Sequence, residues 1–157
     1  MMFFLESPPF QSSMLPYLPQ FQVLCGTEKE RENVKNLIEK YKLEELLKIK
    51  NPVPILELAK IKKGSFAVII PSLTEGFGFS AAETSALDVP VISSDAGSLP
   101  EVISRNFLFF KNGNIDDLSK KIILATENKF YYIPYRKFNW NESIEKMITL
   151  YEKLLKI

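Results

Sequence analysis

The stretch PSLTEGFGFSAAETSALDVPVISSDAGSLPEVI, residues 71–103, decides the fold class of this chain. The apolar and β-branched run FAVII at residues 66–70 leads directly into it and predicts a buried strand. Gly76 and Gly78 then permit the positive φ and the close backbone approach of a tight turn. A helix is expected to begin near Phe79, so the chain passes from a strand through a glycine-bearing turn into a helix.

The turn between this strand and this helix carries groups that suit a polar ligand. Backbone N–H groups at a helix N-terminus have no intrahelical acceptor and can hold phosphate or sugar oxygens. Glu75 and Glu83 bracket the two glycines, and ionised carboxylates accept hydrogen bonds from hydroxyl groups. A diphosphate beside several hydroxyls is the chemistry of a nucleotide sugar.

Strands and helices alternate around this turn, which predicts an α/β fold. Strands are predicted at residues 21–25, 66–70, 89–93 and 107–110, with a turn or very short strand at 51–54. Helices are predicted at residues 28–48, 55–62, 79–87, 98–103 and 114–126 and after Asn139, with N-terminal boxes Thr27/Glu30, Ser98/Glu101 and Asn139/Glu142. This alternation predicts a parallel sheet with helices on both faces and a ligand crevice at the carboxyl ends of its strands.

The spacing of the two glutamates resembles the Glu-x7-Glu signature of the group-1 (family four) retaining glycosyltransferases. The similarity extends through an ordered set of segments: residues 71–72, 75–78, 83, 90–92, 97–102, 116–118 and 138–140. It covers about residues 21–157 and one half of the family's GT-B fold, the C-terminal donor-binding domain. The resemblance implies a single Rossmann-like domain at 21–157. The prolines, serines and aromatic residues of the segment 1–20 predict that it is irregular.

The resemblance also implies a role for each glutamate. Glu83 would receive the ribose hydroxyls of the nucleotide, whereas the competing interpretation is a capping box with Ser80. Glu75 would approach the transferred sugar and favour positive charge near its anomeric carbon, which makes it the candidate catalytic residue. The competing interpretation of Glu75 is a solvated loop acid.

Other loop residues are candidates for substrate binding, each with a structural alternative. The amides of Gly76, Phe77, Gly78 and Phe79 would lie near phosphate, and Phe77 would either cover the sugar or simply pack. Ser72 and Thr74 would donate to base or phosphate, although such side chains commonly satisfy local backbone. Val53 falls near the family's base-contacting loop, while Phe138 and Trp140 are expected to be core anchors.

The chain departs from the family pattern at three places. Family members carry an Arg and a Lys after the first strand that clamp the pyrophosphate. The corresponding region here, about residues 3–11, has no basic residue, and none occurs before Lys29. Asp88 stands where glycine is common, and the chain has no histidine. The resemblance implies no metal or other cofactor, and no Asp-x-Asp motif or His/Cys cluster suggests one.

Composition excludes several other classes of protein. The chain has 157 residues, 46% hydrophobic and 25% charged, with a net charge of +1, which argues against nucleic-acid binding. Its one cysteine, Cys25, is expected to be a buried structural thiol in a reducing compartment. No export signal or membrane-length apolar run is recognised, so a cytoplasmic location is expected. A nicotinamide-dependent dehydrogenase is excluded because no G-x-G-x-x-G turn follows the first strand.

The resulting expectation is a domain that binds a UDP- or GDP-sugar for a retaining hexosyltransferase. The acceptor-binding half is missing from these residues, so a separate acceptor-domain polypeptide is one expected partner. Self-association is the other, through the apolar stripe of the last helix around Met147, Tyr151 and Leu155. The alternative is a non-catalytic remnant or regulatory module that keeps the fold.

Overall fold

One sheet runs through the computed structural model, which describes residues 2–6 and 20–155. Its strands are β1 (Met2–Glu6), β2 (Phe21–Leu24), β3 (Leu47–Lys50), β4 (Ser65–Ile70), β5 (Val91–Ser94), β6 (Arg105–Phe110) and β7 (Tyr131–Ile133). The helices are α1 (Glu28–Tyr41), α2 (Ile55–Gly64), α3 (Phe79–Ala86), α4 (Leu99–Val102), α5 (Ile115–Thr126) and α6 (Trp140–Leu155). The strand order across the sheet is β3-β2-β1-β4-β5-β6-β7.

Five of the strands, β2 to β6, point in one direction. β2 and β3 pair in parallel, as do β4 with β5 and β5 with β6, whereas β7 is antiparallel to β6. β1 lies in the middle of the sheet and is antiparallel to both of its neighbours, β2 and β4. The sheet is therefore mostly parallel, with one reversed strand, β1, in its interior and another, β7, at one edge.

Apolar side chains cover both faces of the sheet because alternate residues of a strand point to opposite sides. On one face, Val68 and Ile70 pack in a cluster with residues of α2, α3 and α4. On the other, Ala67 and Ile69 pack in a cluster that includes residues of α5. The prediction of a single α/β domain with helices on both faces is confirmed.

The prediction that residues 1–20 are irregular is wrong for residues 2–6. Phe4 and Leu5 are buried in β1, one facing each side of the sheet. This apolar run precedes the prolines, so nothing in it prevents pairing with β2 and β4. The remainder of that segment, residues 7–19, lies outside the described residues. The domain accordingly includes residues 2–6.

The predicted helix at 28–48 is too long. It ends at Tyr41, because Lys42 adopts the left-handed conformation (φ 53°, ψ 53°) and its N–H bonds back to Ile38 and Glu39. Residues Leu47–Lys50 form β3 instead, with the alternation of apolar and lysine residues that suits a strand. At the start of the helix, the predicted capping box of Thr27 and Glu30 is confirmed.

Of the other local predictions, some are confirmed and some are wrong. Asn114 caps α5, which was predicted to begin at this residue, by accepting a hydrogen bond from the Asp117 N–H. The predicted Ser98/Glu101 box is wrong, because the Ser98 side chain makes no capping bond and its helical φ and ψ let its carbonyl accept instead. Trp140 is 78% exposed rather than a core anchor. Cys25 is buried, and this burial raises the pKa of its thiol.

Candidate functional site

The loops that follow β4, β5 and β6 meet at the carboxyl edge of the sheet. Ser94 Oγ, at the end of β5, donates to the Ser72 carbonyl at 2.6 Å in the loop after β4. The Asn112 side-chain amide donates to the Leu73 carbonyl at 2.7 Å, and the Asn112 N–H donates to Asp95 Oδ1 at 2.7 Å. Hydrogen bonds from the end of β5 and from the loop after β6 therefore hold the start of the loop that carries Glu75.

Glu75 itself rests on Gly97, a residue whose importance the sequence analysis missed. A β-carbon at Gly97 would lie 2.3 Å from the Glu75 carbonyl oxygen, and Gly97 has a positive φ of 54°. Only glycine fits that approach without displacing the loop. The Glu75 side chain is half-buried and accepts a 3.3 Å hydrogen bond from Ser72 Oγ, so it is not a freely solvated acid.

The two glycines of the loop have different conformations. Gly78 has a φ of 89° and precedes α3 as its N-cap, and a β-carbon there would lie 2.9 Å from Leu99 Cδ2. Gly76 has no positive φ and open space around its missing β-carbon. The expectation of positive φ and close approach is confirmed for Gly78 and wrong for Gly76. Gly78 fixes where α3 begins.

Glu83 lies on α3 and forms an ion pair with a buried lysine of α2. Lys62 Nζ is 2.7 Å from Glu83 Oε2 and 3.4 Å from the Ser80 carbonyl oxygen. The Lys62 side chain is 1% exposed, whereas that of Glu83 is 46% exposed. The capping box of Ser80 and Glu83 is wrong, because Gly78 is the N-cap and no side chain caps this helix.

Sequence reasoning did not single out Lys62 among the neighbouring lysines at 60, 62 and 63. The available signal was its helical spacing, because Lys62 follows Leu58 by four residues and Leu58 lies on the side of α2 that packs on the sheet. A lysine on an apolar stripe needs a partner once its ammonium loses water. The partner, Glu83, is distant in sequence, so no local pattern identifies it.

A pocket of about 250 Å³ opens between α2 and α3 beside this ion pair. Its walls are apolar apart from Lys62 and Glu83, and they comprise Ile55, Leu58, Ala59, Ala86 and Leu87. Val53, the predicted base-contacting residue, precedes α2 and is partly buried, and it does not line this pocket. The half-exposed Glu83 carboxylate is thus set in an apolar wall.

Aromatic rings cover the other side of the loop. Phe77 packs against Phe79 with ring centroids 4.9 Å apart and against the edge of Phe138 at 5.1 Å. Phe79 is largely exposed, as is Thr74, while Phe138 is about half exposed. Packing therefore accounts for Phe77, whereas Phe79 and Thr74 present free surface at the carboxyl edge.

The reversed direction of β1 separates the segment after it from this loop. Glu6 pairs with Ser65, the first residue of β4, while Phe3 pairs with Ile69 near its carboxyl end. The chain therefore leaves β1 at the amino edge, opposite the edge that carries Glu75. The start of the chain lies at the carboxyl edge instead, where Ser80 Oγ donates to Met2 Sδ. Residues 7–11, which form most of the region corresponding to the family's clamp, lie outside the described residues.

The described ranges 2–6 and 20–155 hold neither a metal-binding cluster nor a helix that could span a membrane. No group of three or more His, Cys, Asp or Glu side chains is arranged there to hold a metal ion. No helix there is both long and apolar enough to cross a membrane.

This fold and this acid-bearing loop define a glycosyltransferase domain, half of a GT-B enzyme. The chain belongs to the family described as "Glycosyl transferases group 1", whose model matches residues 17–151. The sucrose-phosphate synthase from Thermosynechococcus elongatus shares the fold, with a TM-score of 0.64 and 24% identity. That match covers 86% of this chain and 38% of the synthase.

Curated relatives are similar over most of this chain but are much longer. An uncharacterized glycosyltransferase of Methanocaldococcus jannaschii is 29% identical over 143 residues, which is 83% of this chain and 40% of the relative. O-antigen chain mannosyltransferase B of Escherichia coli is 26% identical over 110 residues, 65% of this chain and 29% of the relative. The chain therefore spans less than half the length of these relatives.

Proposed function

We propose that this chain binds the nucleotide-sugar donor of a retaining hexosyltransferase. In this assignment, Glu83 accepts hydrogen bonds from the ribose hydroxyls and Glu75 contacts the transferred sugar. The amides from Gly76 to Phe79 lie near the diphosphate, and the donor is a UDP- or GDP-sugar. Its relative in Escherichia coli is a mannosyltransferase, which supports a hexose as the transferred group.

One observation carries this proposal: the Glu75 loop is fixed by contacts from two other segments at the carboxyl edge of the sheet. Gly97 supports the Glu75 backbone, and hydrogen bonds from Ser94 and Asn112 hold the start of the loop. A site that stabilises developing charge requires groups fixed before the ligand arrives. A loop that served only as a turn would not need contacts both from the end of β5 and from the loop after β6.

Turnover requires an acceptor-binding domain, which we propose is supplied outside the matched region. The chain spans 40% of the relative from Methanocaldococcus jannaschii, which leaves room in such proteins for a second domain. The apolar side chains of α6 are exposed and suit contact with that domain. The absence of a metal requirement and a cytoplasmic location remain predictions.

A non-catalytic role is the second candidate, and the reversed β1 favours it. The chain leaves this strand at the edge opposite the Glu75 loop, so a clamp directly after the strand would not start beside the ligand. Loss of two charge-assisted contacts would weaken diphosphate binding by about 3 kcal/mol or more. A domain without measurable donor affinity would then act only as a structural or regulatory module.

Calorimetric titration of the purified chain with UDP, GDP and ADP and their glucose and mannose conjugates tests the donor proposal. We expect micromolar binding of one nucleotide sugar, weakened at least tenfold by Glu83→Gln and by Glu75→Gln, because each removes a charged acceptor. Glutamine is preferable to alanine at position 83, because its side-chain oxygen can still accept from the buried Lys62 ammonium.

Glu101→Gln is the matched control, since it removes an exposed carboxylate from α4 without touching the Glu75 loop. Its affinity should equal that of the unaltered chain. No binding of any of these compounds at millimolar concentration would overturn the donor proposal and favour the non-catalytic role. Binding that both glutamine variants retain would place the ligand elsewhere.

A further inference from the structure

Lys62 is a buried cation with very few partners. Its side chain is 1% exposed, and the hydrogen bonds found for it in the described part of the chain go to Glu83 Oε2 and the Ser80 carbonyl. Lysine is among the residues least often buried, because its ammonium loses hydration that a partner must replace. Glu83 supplies the only negative charge in direct contact with Lys62 among the described residues.

Packing alone does not explain a lysine at this position. The pocket beside it is lined by aliphatic side chains of α2 and α3, namely Ile55, Leu58, Ala59, Ala86 and Leu87. A methionine has a similar length and would satisfy such surroundings without desolvating a charge. Replacing buried ion pairs by apolar residues is often neutral or stabilising, so stability is a weak reason for this pair.

We propose that Lys62 is a positioning residue that orients Glu83 to receive the ribose diol. This inference rests on the proposed function and extends it to a residue outside the Glu-x7-Glu segment. The ammonium occupies one acceptor site of Oε2, which leaves Oε1 and the remaining Oε2 site for the two ribose hydroxyls. A half-exposed glutamate would otherwise sample several rotamers and lose that freedom only when the ligand binds.

The expected consequence is selective for the diol. Without Lys62, the affinity for UDP or GDP should fall about tenfold, because the Glu83 carboxylate is no longer held in the orientation that receives the ribose hydroxyls. The 2′,3′-dideoxy counterparts offer no hydroxyls to Glu83, so their affinity should change less than about twofold. The ratio of the ribose affinity to the dideoxy affinity therefore reports the orientation of Glu83, because general damage to the site would lower both affinities equally.

The experiment measures UDP, GDP and their 2′,3′-dideoxy counterparts by calorimetry on Lys62→Met, with thermal unfolding of the same samples. We expect an unchanged or higher Tm and loss of most of the preference for the ribose form. Lys62→Arg keeps the charge and should retain part of that preference. Lys63→Met removes the adjacent exposed lysine and should behave like the unaltered chain.

The outcomes separate this inference from the donor proposal. If Glu83→Gln abolishes the ribose preference but Lys62→Met retains it, the Lys62 inference alone is overturned. An equal loss for both ligand forms, together with a lower Tm, would assign Lys62 a structural role instead. If Glu83→Gln leaves the preference intact, or the unaltered chain binds none of the ligands, the ribose assignment and the Lys62 inference fail together.

A double variant adds an independent check, because residues that act through one another are not additive. Lys62→Met combined with Glu83→Gln should reduce the ribose preference no further than Glu83→Gln alone. If the double variant loses the ribose preference by the product of the two single-variant factors, the proposed coupling between Lys62 and Glu83 is wrong. Should Lys62→Met fail to fold, Lys62→Gln provides a neutral side chain that can still donate to the Ser80 carbonyl.

Discussion

At the scale of single residues, the site depends on the close approach of two backbone segments. Gly97→Ala should displace the Glu75 loop, because the new methyl group would meet the Glu75 carbonyl oxygen and adopt an unfavourable positive φ. We expect unfolding free energy to fall by about 1–3 kcal/mol. Donor affinity, measured by calorimetry, should fall at least tenfold.

Gly76→Ala is the matched control for that substitution. It adds the same methyl group in the same loop, at a position with open space and no positive φ. Its unfolding free energy should stay within about 0.5 kcal/mol of the unaltered chain. Equal effects of the two substitutions would show that the contact between Gly97 and Glu75 does not hold the loop. Glycine content alone predicted a turn at 76–78, but the identity of the critical glycine depends on the fold.

At the scale of elements, local patterns predicted most helices and strands, and the errors have local causes. The periodicity of residues 28–41 continues smoothly past Tyr41, so the sequence alone places no end there. The end comes from Lys42, an exposed residue held in a left-handed conformation at the C-cap of α1. Lys42→Gly should therefore raise unfolding free energy by about 0.5–1 kcal/mol, because glycine adopts this conformation without strain.

Chemical denaturation measures this effect, and Lys40→Gly provides the control. Lys40 lies in the last turn of α1, where glycine should lower unfolding free energy by about 1 kcal/mol. A destabilising Lys42→Gly would contradict the assigned end of the helix. β1 was not predicted, because the prolines that follow it dominate the composition of residues 1–20. Its antiparallel pairing in the middle of the sheet is non-local and has no counterpart in the sequence pattern.

At the scale of the whole molecule, the sequence predicted those parts of the candidate site that are continuous along the chain. It did not predict contacts between residues of separate elements. The loop from Ser72 to Phe79 lies in one segment, so its glycines and acids could be recognised directly. Lys62 reaches Glu83 only because α2 and α3 pack side by side on the sheet. The support from Gly97 likewise depends on the adjacency of β4 and β5. Contacts of this kind follow from topology, which spacing along the chain does not encode.

The last helix, α6, also concerns the whole molecule, because its apolar side chains are exposed and none is buried within the described part of the chain. Met147, Tyr151 and Leu155 are 55%, 58% and 66% exposed, and no residue of this helix is buried. Large exposed apolar faces promote association. We therefore expect the purified chain to self-associate with rising concentration in sedimentation experiments, when no acceptor domain covers this helix.

Met147→Lys combined with Tyr151→Lys should abolish that association and leave the Tm nearly unchanged, because neither side chain is buried in the domain. Lys146→Ala, an exposed change on the same helix, should leave association intact. A large drop in Tm for the double lysine variant would mean that α6 packs on the sheet in solution. If the chain stays monomeric at all concentrations, the prediction that it self-associates through the apolar face of α6 is wrong.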